Sequence, residues 1–232
     1  MPQFAISDIH GCKKTFESIL DKIAFSKADS LFLLGDYVDR GPDSKGVIDL
    51  IWKLQQEGYQ VNCIRGNHEE LVLRAASSNY TLLEKWLLTD GKDTMDSFGV
   101  DNCADIPAAY IQWMNSLPYF LEVDKYILVH GGLDFTLQNP FSDTTEMCWI
   151  RAWHTHINYD WLEQRIILHG HTPIEIELLE SQFVNLEHQQ YLDIDNGCVY
   201  AHPRHWRSDG LGSLCAFDMT NRKLYFKENI DI

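Results

Sequence analysis

Short apolar runs that break abruptly into polar residues recur along the chain, and their spacing sets the expected fold. Phe4–Ile6 is the first such run and breaks into Ser7-Asp8-Ile9-His10-Gly11. Phe16, Ile19, Leu20 and Ile23 follow at helical spacing, which predicts a crossover helix. Leu31–Leu34 is the second run, closed by Gly35-Asp36-Tyr37-Val38-Asp39-Arg40-Gly41. Pro42-Asp43-Ser44 offers a helix start, and Val47, Ile48, Ile51 and Leu54 keep one apolar face up to Gly58. Val61–Ile64 runs into Arg65-Gly66-Asn67-His68-Glu69-Glu70, ahead of a helix over Leu71–Ala76. Three strand–loop–helix units, each with polar residues at the strand's carboxyl end, describe an α/β fold with a shared site at those ends.

Two further runs end the same way. Tyr126–Val129 leads into His130-Gly131-Gly132, and Arg165–Leu168 into His169-Gly170-His171-Thr172-Pro173. Between them lies a loop-rich section carrying Trp149-Ile150-Arg151. Residues 77–121 are less periodic. Helices are expected over Glu84–Leu88 and Pro107–Leu117, with a polar loop over Gly91–Gly99. Trp86, Phe98, Tyr110 and Trp113 read as packing residues of a helical layer on one sheet. From Phe183 onward, Tyr191–Ile194, Leu214–Phe217 and Leu224–Lys227 alternate with turns. That pattern predicts an antiparallel meander forming a second sheet packed on the first. With no repeat, linker or low-complexity tract, one domain spanning residues 1–232 is expected.

The polar residues at the strand ends carry the chemistry. Asp8 and His10, two apart at the end of a strand, point to one side and form a pincer for a divalent metal. Asp36, Asp39 and Arg40 alone read equally well as a solvated surface turn. Their recurrence with metal-ligand residue types at four other strand ends selects a site instead. Asp8, His10, Asp36, Asn67, His130 and His171 together offer carboxylate oxygens, imidazole nitrogens and one amide oxygen. Such a set suits manganese, iron or zinc and is too rich in nitrogen for a calcium or magnesium cage. One ion cannot use all six and leave room for substrate. Two ions sharing Asp36 can, and such pairs sit roughly 3.5–4 Å apart around a phosphoryl group. The remaining histidines, His154, His156, His202 and His205, read as surface or cap residues, and His169 as a packing residue behind the site.

Composition narrows the partners. A formal net charge of -15 disfavours nucleic acid and anionic membranes. An anionic substrate would then need bound cations to reverse the local field. No apolar window is long enough to span a bilayer. The opening Met1-Pro2-Gln3-Phe4 runs straight into a strand, so no signal peptide is expected. Six cysteines without a CxxC pair read as reduced core residues of a cytoplasmic protein.

Asp8-Ile9-His10-Gly11, Gly35-Asp36-Tyr37-Val38-Asp39-Arg40-Gly41, Gly66-Asn67-His68-Glu69, His130-Gly131-Gly132 and Gly170-His171-Thr172 resemble the ordered motifs of the calcineurin-like metallophosphoesterases. The second motif is similar to the phosphoprotein phosphatase branch, and the short chain to its bacteriophage lambda and bacterial type. The resemblance implies a two-sheet β-sandwich flanked by helices, with the active site at the carboxyl ends of the strands. It implies two divalent ions per chain, manganese first, with iron or zinc as alternatives. Asp8, His10 and Asp36 would hold one ion, and Asp36, Asn67, His130 and His171 the other. His68 would be the general acid, oriented by Asp39, and a metal-bridging hydroxide would attack in line. Arg40 and, on a weaker match, Arg151 would grip phosphate oxygens, with Asn67 and His68 also facing the substrate. Ser7 stands where the common pattern has glycine, a change expected to leave ligation unaffected. Nothing after Asp195 matches the C-terminal tyrosine segment of eukaryotic members.

The resemblance implies a Ser/Thr (or Tyr) protein phosphatase first. A hydrolase of small phosphorylated metabolites such as diadenosine tetraphosphate is the alternative. The loop over residues 91–99 resembles one shared by both bacterial groups, so it separates neither. A non-catalytic scaffold is disfavoured, because all six ligand positions, His68, Asp39 and Arg40 are present. The sequence leaves the oligomeric state open, along with any contribution of residues 202–207 to the site.

Overall fold

A computed structural model describes residues 1–77, 84, 86–87, 90–201 and 210–231. Its core is two facing sheets. The first has five strands in the order β3-β2-β1-β8-β9, and the second has four in the order β4-β5-β6-β7. In the first, β1 (Gln3–Ile6), β2 (Ser30–Leu33) and β3 (Gln60–Cys63) run parallel. Helices α1 (Lys13–Lys22) and α2 (Ser44–Gln56) make the crossovers, and α3 (Asn67–Ala76) follows β3. In the second, β5 (Tyr126–Val129), β6 (Ile166–His169) and β7 (Tyr191–Asp193) are parallel, and β4 (Phe120–Val123) is antiparallel to β5.

Alternation along each strand divides the apolar residues between layers. Phe4 and Ile6 of β1 pack with Leu31, Leu33 and the apolar faces of α1 and α2, including Phe16, Ile19, Val47 and Ile51. Ala5, between them, faces Phe32, Leu128, Leu168 and Phe217 in the space between the sheets. On the far side of the second sheet, Ile127, Val129 and Ile167 bury Met147, Trp153 and Leu162. A one-residue register slip in β1 would exchange these two layers, so the register is strongly specified. The parallel strands of both sheets deliver their carboxyl ends to one region, as the sequence pattern requires.

Two expectations are corrected. Residues 91–98 form a helix, α4 (Gly91–Phe98), where a polar loop is expected. Gly99, with φ +66, is its left-handed C-cap, so a glycine that reads as loop punctuation ends a helix here. The C-terminal segment is also not one meander forming a second sheet. Phe183 lies in a helix (Ile176–Val184), and β7 pairs parallel with β6. Strands β8 (Ser213–Asp218) and β9 (Lys223–Glu228) extend the first sheet, with β8 antiparallel to β1. Hydrophobic alternation gives a strand its buried face but not its neighbour.

The middle segment meets expectation more closely. Ala108–Ser116 is helix α5, and Trp86, Met95, Tyr110 and Met114 join the helix-side core of the five-stranded sheet. Of the helix expected over Glu84–Leu88, Glu84, Trp86 and Leu87 are helical, and Lys85 and Leu88 lie outside the described residues. Among the described residues, no helix is long and apolar enough to cross a membrane. All six cysteines are buried free thiols.

Candidate active site

The polypeptide bends sharply at the strand ends. Asp8, His10, Asp36, Asp39, Arg40 and His171 all have positive φ, between +45 and +73, although none is glycine. Each such residue costs about 1–3 kcal/mol and persists only where surrounding bonds fix it. Here the loops after β1 and β2 bond to each other, with His10 N–H donating to Asp36 O and Gly11 N–H to Tyr37 O, both at 2.9 Å. The second sheet ties in through His171 N–H, which donates to Asp8 Oδ2 at 3.1 Å, and through His130 Nδ1, 2.8 Å from Leu34 O.

These bends bring the six expected ligand residues together. His10 Nε2 lies 3.5 Å from Asp36 Oδ2 and 4.0 Å from Asp8 Oδ1. His130 Nε2 lies 3.3 Å from Asp36 Oδ1. Asn67 Oδ1 is 2.9 Å from His130 Nε2 and 2.8 Å from His171 Nδ1. All six are buried. Among the described residues, two groups have the compactness of a metal site, His10–Asp36–His68 and Asp36–His130–His171, and Asp36 belongs to both.

The donor set fits cations. His10 and His130 each turn Nδ1 to a backbone carbonyl, Val38 O and Leu34 O, at 2.8 Å, which directs Nε2 inward. Burial, with Arg40 and His68 nearby, holds His10 well below its usual pKa, so its ring is neutral and can offer a lone pair. Burial also lowers His171, reinforced by His130, to about 3. His171 Nε2 is buried with no hydrogen-bond partner. For His130, burial is outweighed by the Asp36 carboxylate, which lifts its pKa to about 10. Several would-be ligands therefore converge on one carboxylate, one with an unsatisfied nitrogen, an arrangement that divalent ions suit.

His68 sits at the edge of this cluster, with Nδ1 2.8 Å from Asp39 Oδ2 and Nε2 3.9 Å from Asp36 Oδ2. Burial would lower its pKa, but Asp36 and the hydrogen bond to Asp39 outweigh burial and raise it. Asp39 is itself clamped. Trp86 Nε1–H donates to Oδ2 at 2.8 Å and Thr94 Oγ1–H to Oδ1 at 2.5 Å. Trp86, read from sequence as packing alone, is therefore also a donor, and Thr94 lies in the segment read as a loop. Glu69 closes the third motif but has no role in the sequence reading. Its Oε2 accepts from Gly66 N–H and Asp36 N–H at 2.9 Å, and Oε1 from Tyr37 N–H at 2.8 Å. Besides that motif, its local signal is an acidic residue in the first turn of a helix, ordinarily read as a dipole partner.

The two arginines attach to opposite groups. Half-buried Arg40 places Nη1 3.0 Å from His10 Nε2 and Nε 3.5 Å from Asp90 Oδ1, with its guanidinium 5.8 Å from the Tyr200 ring centroid. Exposed Arg151 donates to His171 O at 3.3 Å and to Thr172 Oγ1 at 2.8 Å. His169 stays outside the cluster: its Nε2 is 3.0 Å from His154 Nε2, and both rings pack near Trp153. His154 is accordingly half-buried rather than a surface residue, whereas His156 is exposed. His202, Arg204, His205 and Arg207 lie outside the described residues.

This fold and site define a metal-dependent phosphoester-hydrolase class, and sequence comparison places the chain in it. The family model for calcineurin-like phosphoesterases matches residues 1–203, and the chain belongs to that family. A symmetrical bis(5'-nucleosyl)-tetraphosphatase of Wigglesworthia glossinidia brevipalpis is 34% identical over 137 residues, covering 57% of this chain and 45% of the relative. The asymmetrical bis(5'-nucleosyl)-tetraphosphatase PrpE of Oceanobacillus iheyensis is 28% identical over 225 residues, covering 85% and 84%. Serine/threonine-protein phosphatase 1 of Salmonella typhimurium is 34% identical over 133 residues, covering 55% and 57%. The chain thus spans about half the length of several curated relatives it matches. Among solved structures, a putative diadenosine tetraphosphatase superposes with TM-score 0.69 at 18% identity, covering 98% of this chain and 93% of the other. A Saccharomyces cerevisiae protein serine/threonine phosphatase gives 0.66 at 15%, covering 99% and 80%. At these identities the structural matches establish the fold alone.

Proposed function

We propose that this chain is a two-metal phosphoester hydrolase acting on dinucleoside polyphosphates. The observation that carries the two-metal reading is that Asp36 belongs to both buried groups of candidate ligands. Asp8, His10 and Asp36 would hold one ion, and Asp36, Asn67, His130 and His171 the other. Manganese is the first choice for this donor set, with iron and zinc as alternatives. Bound divalent ions supply Lewis acidity toward phosphoryl oxygens and lower the pKa of water from 15.7 to about 7 in the most favourable case.

The chain's own residues do the rest. His68 Nδ1–H donates to Asp39, which leaves Nε2 to hold a proton for the departing oxygen. The hydrogen bond to the Asp39 carboxylate favours the protonated ring. Although His68 also falls within one candidate metal group, its bond to the clamped Asp39 suits the acid role. Arg40 and Arg151 would bind phosphate oxygens through their forked donors.

The substrate order expected from sequence is reversed here. Support for a dinucleotide comes from the tetraphosphatase relative that matches most of both chains. The placement of the arginines agrees, since Arg40 adjoins His10 and Arg151 adjoins His171. Cationic side chains thus flank both halves of the cluster, which suits a substrate with more than one phosphate. A protein phosphatase is the second reading, favoured by the Salmonella relative. Purified protein loaded with Mn²⁺ should turn over diadenosine tetraphosphate faster than a phosphoserine peptide. The reverse order would move the assignment to phosphoproteins, and inactivity on both and on an aryl phosphate would overturn the hydrolase reading.

A further inference from the structure

The two oxygens of Asp8 are treated differently by the protein. Oδ2 accepts a hydrogen bond from the Ser7 hydroxyl and another from the backbone N–H of His171 at 3.1 Å. Oδ1 instead faces His10 Nε2, 4.0 Å away. Ser7 and Asp8 are each only 2% exposed. Gly170 presses against both: a Cβ there would stand 2.1 Å from Asp8 Oδ2 and from Ser7 Oγ. The Asp8 backbone is equally fixed, with φ +54 and its N–H donating to Gly35 O at 3.3 Å.

A carboxylate with one oxygen occupied by two donors cannot turn to offer both oxygens to a cation. It presents the other one, at a set angle. Without the hydroxyl, a single 3.1 Å bond from His171 N–H would remain, and the carboxylate could rotate about it. The sequence reading treats Ser7 as a silent departure from glycine, but the geometry gives its hydroxyl a task.

We infer that Ser7 is a positioning residue for one of the two metal ions, its hydroxyl locking Asp8 as a one-oxygen ligand. This rests on the two-ion reading above. The side chains of the other ion's residues, Asn67, His130 and His171, bond to one another, and His171 meets Ser7 at Asp8 Oδ2 through its backbone N–H. The effect of removing the hydroxyl is therefore asymmetric. Partners that orient a ligand typically contribute 10–100-fold to metal affinity.

The test is calorimetric titration of metal-free protein with Mn²⁺, followed in parallel by the Mn²⁺ electron paramagnetic resonance signal, for wild type, S7A, S7G and D8N. In S7A and S7G one of the two affinities should fall roughly 10-fold or more while the other holds. The coupled-pair signal should then appear only at higher Mn²⁺. Wild-type affinities at both sites in S7A and S7G, with D8N weakened, would overturn the role of Ser7 alone. Equal losses at both sites together with a lowered melting temperature of the metal-free variants would also overturn it, marking a general structural role. A D8N variant that keeps both affinities would remove Asp8 from the ligands and overturn the role of Ser7 with it, whereas a wild type that binds one ion would overturn the two-ion reading itself.

Discussion

His68 Nδ1 lies 2.8 Å from Asp39 Oδ2, and both oxygens of that carboxylate accept from other side chains. Trp86 and Thr94 hold its two oxygens from the helical layer, and Ser44 Oγ and Thr94 Oγ1 accept from its N–H. The candidate acid is thus set by residues from three separate segments. His68→Asn should lower turnover of substrates with poor leaving groups by roughly 10²–10⁴-fold while metal content stays at the wild-type level. Full activity, or loss of metal in step with activity, would place His68 elsewhere in the chemistry.

Thr94→Val removes the donor to Asp39 Oδ1 without changing side-chain volume much. Asp39 would keep His68 and Trp86 but lose both bonds to Thr94, the one to Oδ1 and the one from its N–H, which keeps Ser44 Oγ as acceptor. We expect kcat to fall about 10-fold with KM and metal content unchanged, a loss of roughly 1.4 kcal/mol in the transition state. Steady-state kinetics beside metal analysis of the same preparation checks this. A change confined to KM would contradict it.

The state of His130 predicts a pH effect. Burial works against its charge, but Asp36 more than compensates and raises the metal-free pKa from 6.5 to about 10. A histidine whose folded pKa is raised stabilises the fold fully below 6.5, and that contribution is lost as pH climbs toward 10. Metal binding needs the neutral ring, so metal affinity runs the opposite way. The gap in melting temperature between Mn²⁺-loaded and metal-free protein should therefore widen from pH 6.5 to pH 9. A constant gap would contradict the placement of His130 among the ligands.

The C-terminal segment reaches back to the first helix. Helix α1 has no side-chain cap of its own at Cys12, and Asp231 supplies one, accepting from Lys14 N–H at 2.9 Å and from Thr15 N–H at 2.8 Å. Asp231→Ala should cost about 1 kcal/mol and lower the melting temperature by roughly 2–4 °C, with metal content untouched. Thermal unfolding measures it, and an unchanged midpoint would show that the cap carries no stability.

The candidate site was legible in sequence where an apolar run meets a glycine-bounded polar cluster. That is why Asp8, His10, Asp36, Asn67, His130 and His171 could be collected before any contact was known. The roles of Glu69, Trp86 and Thr94 were not legible, because the Asp36 and Tyr37 amides and the Asp39 carboxylate they bind lie 32 to 55 residues away in sequence. Nothing in local pattern distinguishes such a glutamate or threonine from its solvated equivalents. The fold shows the same division. The parallel βα units at the start are local and were readable. The split of β7 from β8 and β9 between two sheets depends on pairing partners, β6 and β1, that alternation does not encode.

The central claim is that Asp36 serves two ions at once, and metal content per chain tests it most directly. Wild type, Asp36→Asn and His10→Ala should be loaded with Mn²⁺, freed of excess and assayed for bound metal alongside their melting temperatures. The account predicts two ions in wild type, loss at both positions in Asp36→Asn and loss mainly at one in His10→Ala. Full and equal metal content in both variants would contradict it.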